Sequence, residues 1–167
     1  MLSNNYLVES KHIFLMFLIS FLLVACNKSS DESEVTEVIV EVPTLNDQNI
    51  KDFTIKMAMD YNDLLDSLLA EFNVANKARD EYRFVNFRNH TWTPNYIKQK
   101  DYYQNVLANN SIYLSKSPTR ILFDKFEYLI YIGIELKNVL LDEDDVKLQE
   151  QLTAITKNKA TVGELIK

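Results

Sequence analysis

From Ile50 onward, apolar residues recur every three or four positions: Ile50, Phe53, Met57, Tyr61, Leu64, Leu68, Phe72, Ala75, Ala78, Tyr82 and Val85. That spacing follows one face of a 3.6-residue helix for about ten turns. It predicts one long amphipathic helix, or two stacked ones, reaching about Phe87 with a break near Asn73. Asp47 stands where an N-cap belongs, and Asp52 with Lys56 and Lys56 with Asp60 form i,i+4 pairs on the outer face.

Two further helices announce themselves by a capping hydroxyl followed by proline. Thr93-Pro94 predicts a start for a helix through about Ala108, and Ser117-Pro118 for one through about Leu141. The second is apolar enough to resemble a membrane span. Asp124, Tyr131, Glu135, Asn138 and Asp142 nevertheless line one side of it, and the charges of Asp124, Lys125, Glu127, Glu135 and Lys137 would be costly in hydrocarbon. It is therefore expected to be the central core helix of a soluble bundle. A fourth helix begins at Asp142-Glu143-Asp144-Asp145, where carboxylates suit the positive end of the helix dipole. These acids lack the spacing and the glycine of a calcium loop, so capping rather than metal binding is expected. The tail TVGELIK is expected to continue as a short frayed helix. Together these elements predict an all-α fold, a bundle of about four helices over residues 48 to 167.

The amino-terminal part follows a different pattern. Residues 13 to 25, IFLMFLISFLLVA, are apolar except for Ser20. As a helix they would span roughly 20 Å, short of the ~30 Å hydrocarbon layer, which fits a secretory signal segment better than a stable span. The run ends in Leu23-Val24-Ala25-Cys26, which resembles the lipobox of bacterial lipoprotein precursors. The resemblance covers about the first 30 residues. It implies cleavage before Cys26, lipid attachment to that residue, and a bacterial cell-envelope location on a lipid anchor. Two or three acyl chains would hold such a protein on the membrane essentially permanently. Asn27, in place of the aspartate that marks inner-membrane retention in enterobacterial lipoproteins, points to the outer membrane, with the domain facing the periplasm or the exterior. Cys26 is the only cysteine in the chain, so no disulfide is expected.

Residues 27 to 47, NKSSDESEVTEVIVEVPTLND, lack helical periodicity and are expected to form a flexible acidic tether. Within them TEVIVEV alternates like a strand. A lone strand has no partner in a helical chain, so an extended linker is expected, with strand addition to a partner as the alternative. This segment carries most of the net charge of −6, because residues 48 to 167 hold 16 basic and 17 acidic side chains. Only two glycines in 167 residues argue against phosphate-cradling loops and against many-turned β architectures.

No catalytic motif stands out, and His90 is the only histidine beyond Cys26. A non-enzymatic role without metal or cofactor is expected. The most unusual composition lies in residues 77 to 103, where Lys77, Arg79, Arg83, Arg88, Lys98 and Lys100 face only Asp80 and Glu81 in the basic stretch, and seven aromatics interleave. Arginine mixed with aromatic residues is what interface anchors are made of. The candidate partner-binding residues are Arg79, Arg83, Phe87, Arg88, His90, Trp92 and Tyr96, with Arg79 and Arg83 expected on one helix face. The alternative is that the aromatics pack the bundle while the charges are solvated. A body near neutrality lacks the field that nucleic-acid binding uses. The sequence therefore points to a monomeric, lipid-anchored module that binds a protein with an acidic patch, an immunity or exclusion lipoprotein being one version. A structural lipoprotein touching peptidoglycan or anionic lipid is the second reading, and a hydrolase the third.

Overall fold

The computed structural model describes residues 41 to 167, and among these there is no strand. The expected signal segment, the expected lipid-attachment residue Cys26 and the expected tether through residue 40 lie outside the described residues. The helices are α1 (Ile50–Ala78), α2 (Glu81–Phe87), a π-helical turn (Arg88–Trp92), α3 (Thr93–Asn109), the one-turn α4 (Ser111–Leu114), α5 (Arg120–Asp142) and α6 (Asp145–Glu164). The fold is all-α. Because α2, the π turn and α3 form one continuous rod, four long helical elements build the bundle.

In α1 the apolar stripe is buried from Phe53 to Ala75 as its spacing requires. The helix passes through Asn73 and ends later, at Arg79, which adopts a left-handed conformation (φ 52°). The Asp80 N–H donates to Ala75 O at 2.9 Å and the Arg79 N–H to Asn76 O at 3.3 Å, the bonding of a Schellman cap. Asp80 then caps α2, its carboxylate accepting from the Arg83 N–H at 2.9 Å. This reversal resets the helical phase. Ala78 and Tyr82, expected on the buried stripe, are exposed (Tyr82 by 79%), and Phe84 takes the core position instead.

Asp47 does not cap α1. Asn46 O accepts the Ile50 N–H, and the Asp47 carboxylate accepts the Tyr113 hydroxyl at 2.8 Å. An α-helix does begin at Thr93-Pro94, as expected, but without a capping hydroxyl, because it continues directly from the π turn. Proline lacks an N–H and its ring crowds the preceding turn, and the chain absorbs this by widening: the Thr93 N–H bonds Arg88 O, five residues back. Ser117-Pro118 also marks a start, two residues early. Ser117 Oγ accepts from the Thr119 N–H, and Ser117 O from the Arg120 N–H at the first turn of α5.

Cross-helix pairs give the topology. Phe72 meets Phe84, Leu64 meets Trp92 and Phe53 meets Tyr103, so the rod runs antiparallel to α1. Thr54 bonds Thr119 at 2.8 Å, and Leu68 lies beside Gly133, so α5 runs parallel to α1. Lys125 bonds Asn158 and Lys147 pairs with Glu135, so α6 returns antiparallel to α5. The result is an up-down-up-down bundle. Helix α5 contacts α1, α2, α3 and α6, which makes it the central core helix. Its Asp124, Tyr131 and Asp142 are exposed, while Glu135 and Asn138 are half-buried. No described helix is long and apolar enough to cross a membrane.

The acidic run 142 to 145 divides between two helix ends. Glu143 is the left-handed residue (φ 51°) that closes α5, and Asp144 caps α6 by accepting the Lys147 N–H at 2.9 Å. The tail belongs to α6 and its last turn. Val162 is buried, and Leu165 and Ile166 pack on the core.

The expected tether reaches residue 47, but its last part lies on the bundle. Leu45 is buried and Val42 packs against the core. The buried Asn110 side chain accepts the Leu45 N–H at 2.7 Å and donates to Pro43 O at 2.9 Å and Val106 O at 2.8 Å. One amide side chain thus replaces the hydrogen bonds that a neighbouring strand would provide. Composition had suggested a segment too polar to pack, but a single leucine and an amide clamp suffice to hold it.

Candidate functional site

The seven candidate residues separate once their surroundings are known. Trp92 and Tyr96 are each only 2% exposed. The indole Nε1 donates to Leu64 O at 2.8 Å, the phenol to Glu127 O at 3.2 Å, and the two rings stack at 5.2 Å. Desolvation pushes the Tyr96 hydroxyl up to about 12, helped by the Glu127 carboxylate. Both are core residues with satisfied polar tips, so neither offers an aromatic face to a partner. Phe87 is half-buried and packs against the same core.

Arg79 and Arg83 do not share a helix face, because the left-handed residue at 79 separates α1 from α2. Arg79 lies in a polar cleft of about 270 Å³ with Asn76, Glu81, Leu140, Glu143 and Asp145. Three carboxylates therefore surround its charge, and the local field there is not basic. Arg83 forms a forked contact to Glu71, with Nε at 2.5 Å and Nη2 at 3.4 Å from the two carboxylate oxygens. That hydrogen bond, and then the charge itself, raises the guanidinium pKa. Arg83 thus clasps α2 to α1.

Arg88 and His90 remain. Phe84, Arg88, Trp92 and Tyr96 are spaced by four, and on an α-helix such a stripe would drift by about 40° per step. The wider π turn takes up that drift, so Phe84, Trp92 and Tyr96 all face the core. Arg88 lies in the same stripe, a cation at an inward-leaning position. Its Nε is buried and has no hydrogen-bond partner, while Nη1 donates to Asn89 Oδ1 at 3.0 Å. None of the ion pairs among the described residues includes it. Burial lowers its pKa. His90, two residues further and so on a different side of the helix, is exposed.

A residue that sequence reasoning passed over positions this arginine. Gly133 in α5 is buried, and a Cβ there would stand 3.4 Å from Arg88 Nε, 3.5 Å from Trp92 Cζ3 and 3.6 Å from Leu68 Cδ2. The guanidinium and the indole thus pack at one point of α5, at distances a Cβ would meet as ordinary van der Waals contact. The available signal was a glycine, one of only two in the chain, inside an otherwise apolar helix.

Two other open surfaces flank the bundle. One, of about 730 Å³, lies beside the docked segment 42 to 47 and is lined by Leu45, Asn110, Ile112, Tyr113 and Lys116. The other runs along the outer side of α6 around Val146 and Ala154. Among the described residues no group of three or more His, Cys, Asp or Glu side chains is placed to hold a metal ion. Comparison with protein-family models, with curated proteins and with solved structures finds no match to this chain.

Proposed function

We propose that this chain is a lipid-anchored binding protein of the bacterial cell envelope. In this reading Cys26 carries the lipid, residues 27 to 41 connect it to the bundle, and the surface around Arg88 engages a protein partner through an acidic patch. The role is non-enzymatic, and an immunity or exclusion lipoprotein is a concrete form of it. The observation that carries the binding part is Arg88, a partly desolvated cation for which the bundle supplies no carboxylate.

The course of the chain fits this reading. The docked segment joins the bundle at the end built by Asn110 and Leu114, whereas α2 begins at the opposite end of α1. Helix α1 has 29 residues and is roughly 43 Å long.

Two experiments test the parts separately. Fatty-acid labelling of the full chain in a bacterial host is expected to mark the wild type and to vanish in Cys26→Ser; continued labelling removes the anchor. Affinity capture from detergent-solubilised envelopes is expected to retain a partner on the wild type and to lose it with Arg88→Glu. A partner retained equally by both proteins removes this surface as the binding face.

A further inference from the structure

We infer that the Arg88 guanidinium is a pre-positioned receptor for one carboxylate, an Asp or Glu side chain of an acidic peptide segment on the partner. This rests on the binding reading above and makes it specific to one residue and one functional group.

Four features of the bundle combine at this point. The π turn brings Arg88 into line with Phe84, Trp92 and Tyr96. Gly133 lies beside the guanidinium, so that α5 backs it on the core side. The Nε edge is buried against α5 without a partner, which fixes the guanidinium plane and leaves its Nη edge to meet a carboxylate. Arg83, Arg120, Lys147 and Lys159 are each paired with a carboxylate, and Arg88 differs from unpaired exposed cations such as Lys77, Lys98 and Lys116 in having part of its guanidinium buried. The present neighbour of Arg88 is the neutral Asn89 amide, which a carboxylate displaces because charge-assisted bonds to guanidinium are about twice as strong. A guanidinium backed by packed side chains also loses less freedom on binding than one on a mobile stem.

The test uses the full chain in detergent micelles, with Trp92, the only tryptophan, as a fluorescent reporter packed at the same glycine. The Arg88 Nε resonance, labelled with 15N, is followed in parallel. Hexaglutamate is expected to give a saturable change in both signals and hexaglutamine none. Arg88→Met keeps the apolar stem and is expected to weaken hexaglutamate binding about tenfold or more with unchanged helicity. Arg88→Lys keeps the charge without the planar fork and is expected to fall between them. Absence of saturation by about 1 mM hexaglutamate overturns the inference. So does equal affinity in Arg88→Met, or saturation by inorganic phosphate but not by hexaglutamate. Failure here leaves the envelope reading intact if Cys26 is labelled and a partner is captured. Loss of labelling with hexaglutamate binding preserved removes the envelope reading alone.

Discussion

Trp92 Nε1 donates a 2.8 Å hydrogen bond to the carbonyl of Leu64, joining the π turn to the middle of α1. The same carbonyl accepts Ser67 Oγ at 2.9 Å. On its other side the indole stacks on Tyr96, whose hydroxyl reaches Glu127 O in α5. Two aromatic rings thus link α1, the rod and α5, with each buried polar tip satisfied. The relationship removes Trp92 and Tyr96 from the list of surface anchors and makes them the centre of the core.

Trp92→Ala is expected to destabilise the bundle by about 3–5 kcal/mol through the cavity it leaves. Trp92→Phe keeps an aromatic ring but gives up the bond to Leu64, at about 1–2 kcal/mol, since that carbonyl retains Ser67. Denaturant unfolding followed by circular dichroism measures both. An alanine variant as stable as the wild type would contradict the buried position.

The clamp at Asn110 predicts a local effect. Asn110→Ala removes the bonds to Pro43 and Leu45 and leaves the buried Leu45 N–H without its acceptor, a loss of about 1–3 kcal/mol. Protease cleavage within residues 42 to 47 is expected to speed up while the helical signal of the bundle persists. Unchanged cleavage would mean that the segment is held by Leu45 packing alone.

Both positive-φ residues are non-glycine, Arg79 at 52° and Glu143 at 51°. Arg79→Gly and Glu143→Gly relieve a left-handed strain of roughly 1–2 kcal/mol and lose about 0.4–1 kcal/mol through the unfolded chain. Each is expected to stabilise by about 0.5–1 kcal/mol in thermal unfolding. A clear drop on Arg79→Gly would show that Arg79 contributes a contact to the cleft shared with Glu143 and Asp145.

Alkaline pH offers a fourth measurement. Burial pushes the Tyr61 and Tyr96 hydroxyls up to about 12, and Tyr103 rises as well through burial and its 2.5 Å bond to Asp60. In the unfolded chain these phenols ionise near 10, so between 10 and 12 the folded state holds more protons. Their stabilising contribution is complete below about pH 10 and is lost as pH rises through the folded value. Stability is expected to fall from pH 10 upward by about 1.4 kcal/mol per pH unit for each such tyrosine. Phenolate absorbance should rise late and together with unfolding. Ionisation of all nine tyrosines near pH 10 in the folded protein would contradict this.

The long periodic stretches were legible because burying one apolar face dictates a 3.6-residue repeat, and α1, α5 and α6 follow it. The capping role of the acids at α6 was legible too, since an Asp before a helix has a local partner in the backbone. Thr93-Pro94 marked the start of α3 but gave no sign of the π turn before it, because a proline accommodated by a π turn looks, along the chain, like one after a cap. Of the candidate residues, Arg88 is half-buried and His90 exposed. Trp92 and Tyr96 were indistinguishable from surface anchors, because burial of an aromatic depends on which helices it finally faces.

The sequence alone determined what local physics controls: an all-helical chain, the main helix spans, and a lipobox-like segment set apart from the body by composition and charge. Tertiary structure decided the pairings between residues distant along the chain: Trp92 with Leu64, Asn110 with Leu45, Arg83 with Glu71, and Arg88 with Gly133. Each depends on which faces of separate helices meet. Periodicity states that a face is buried, and only the packed bundle states against what.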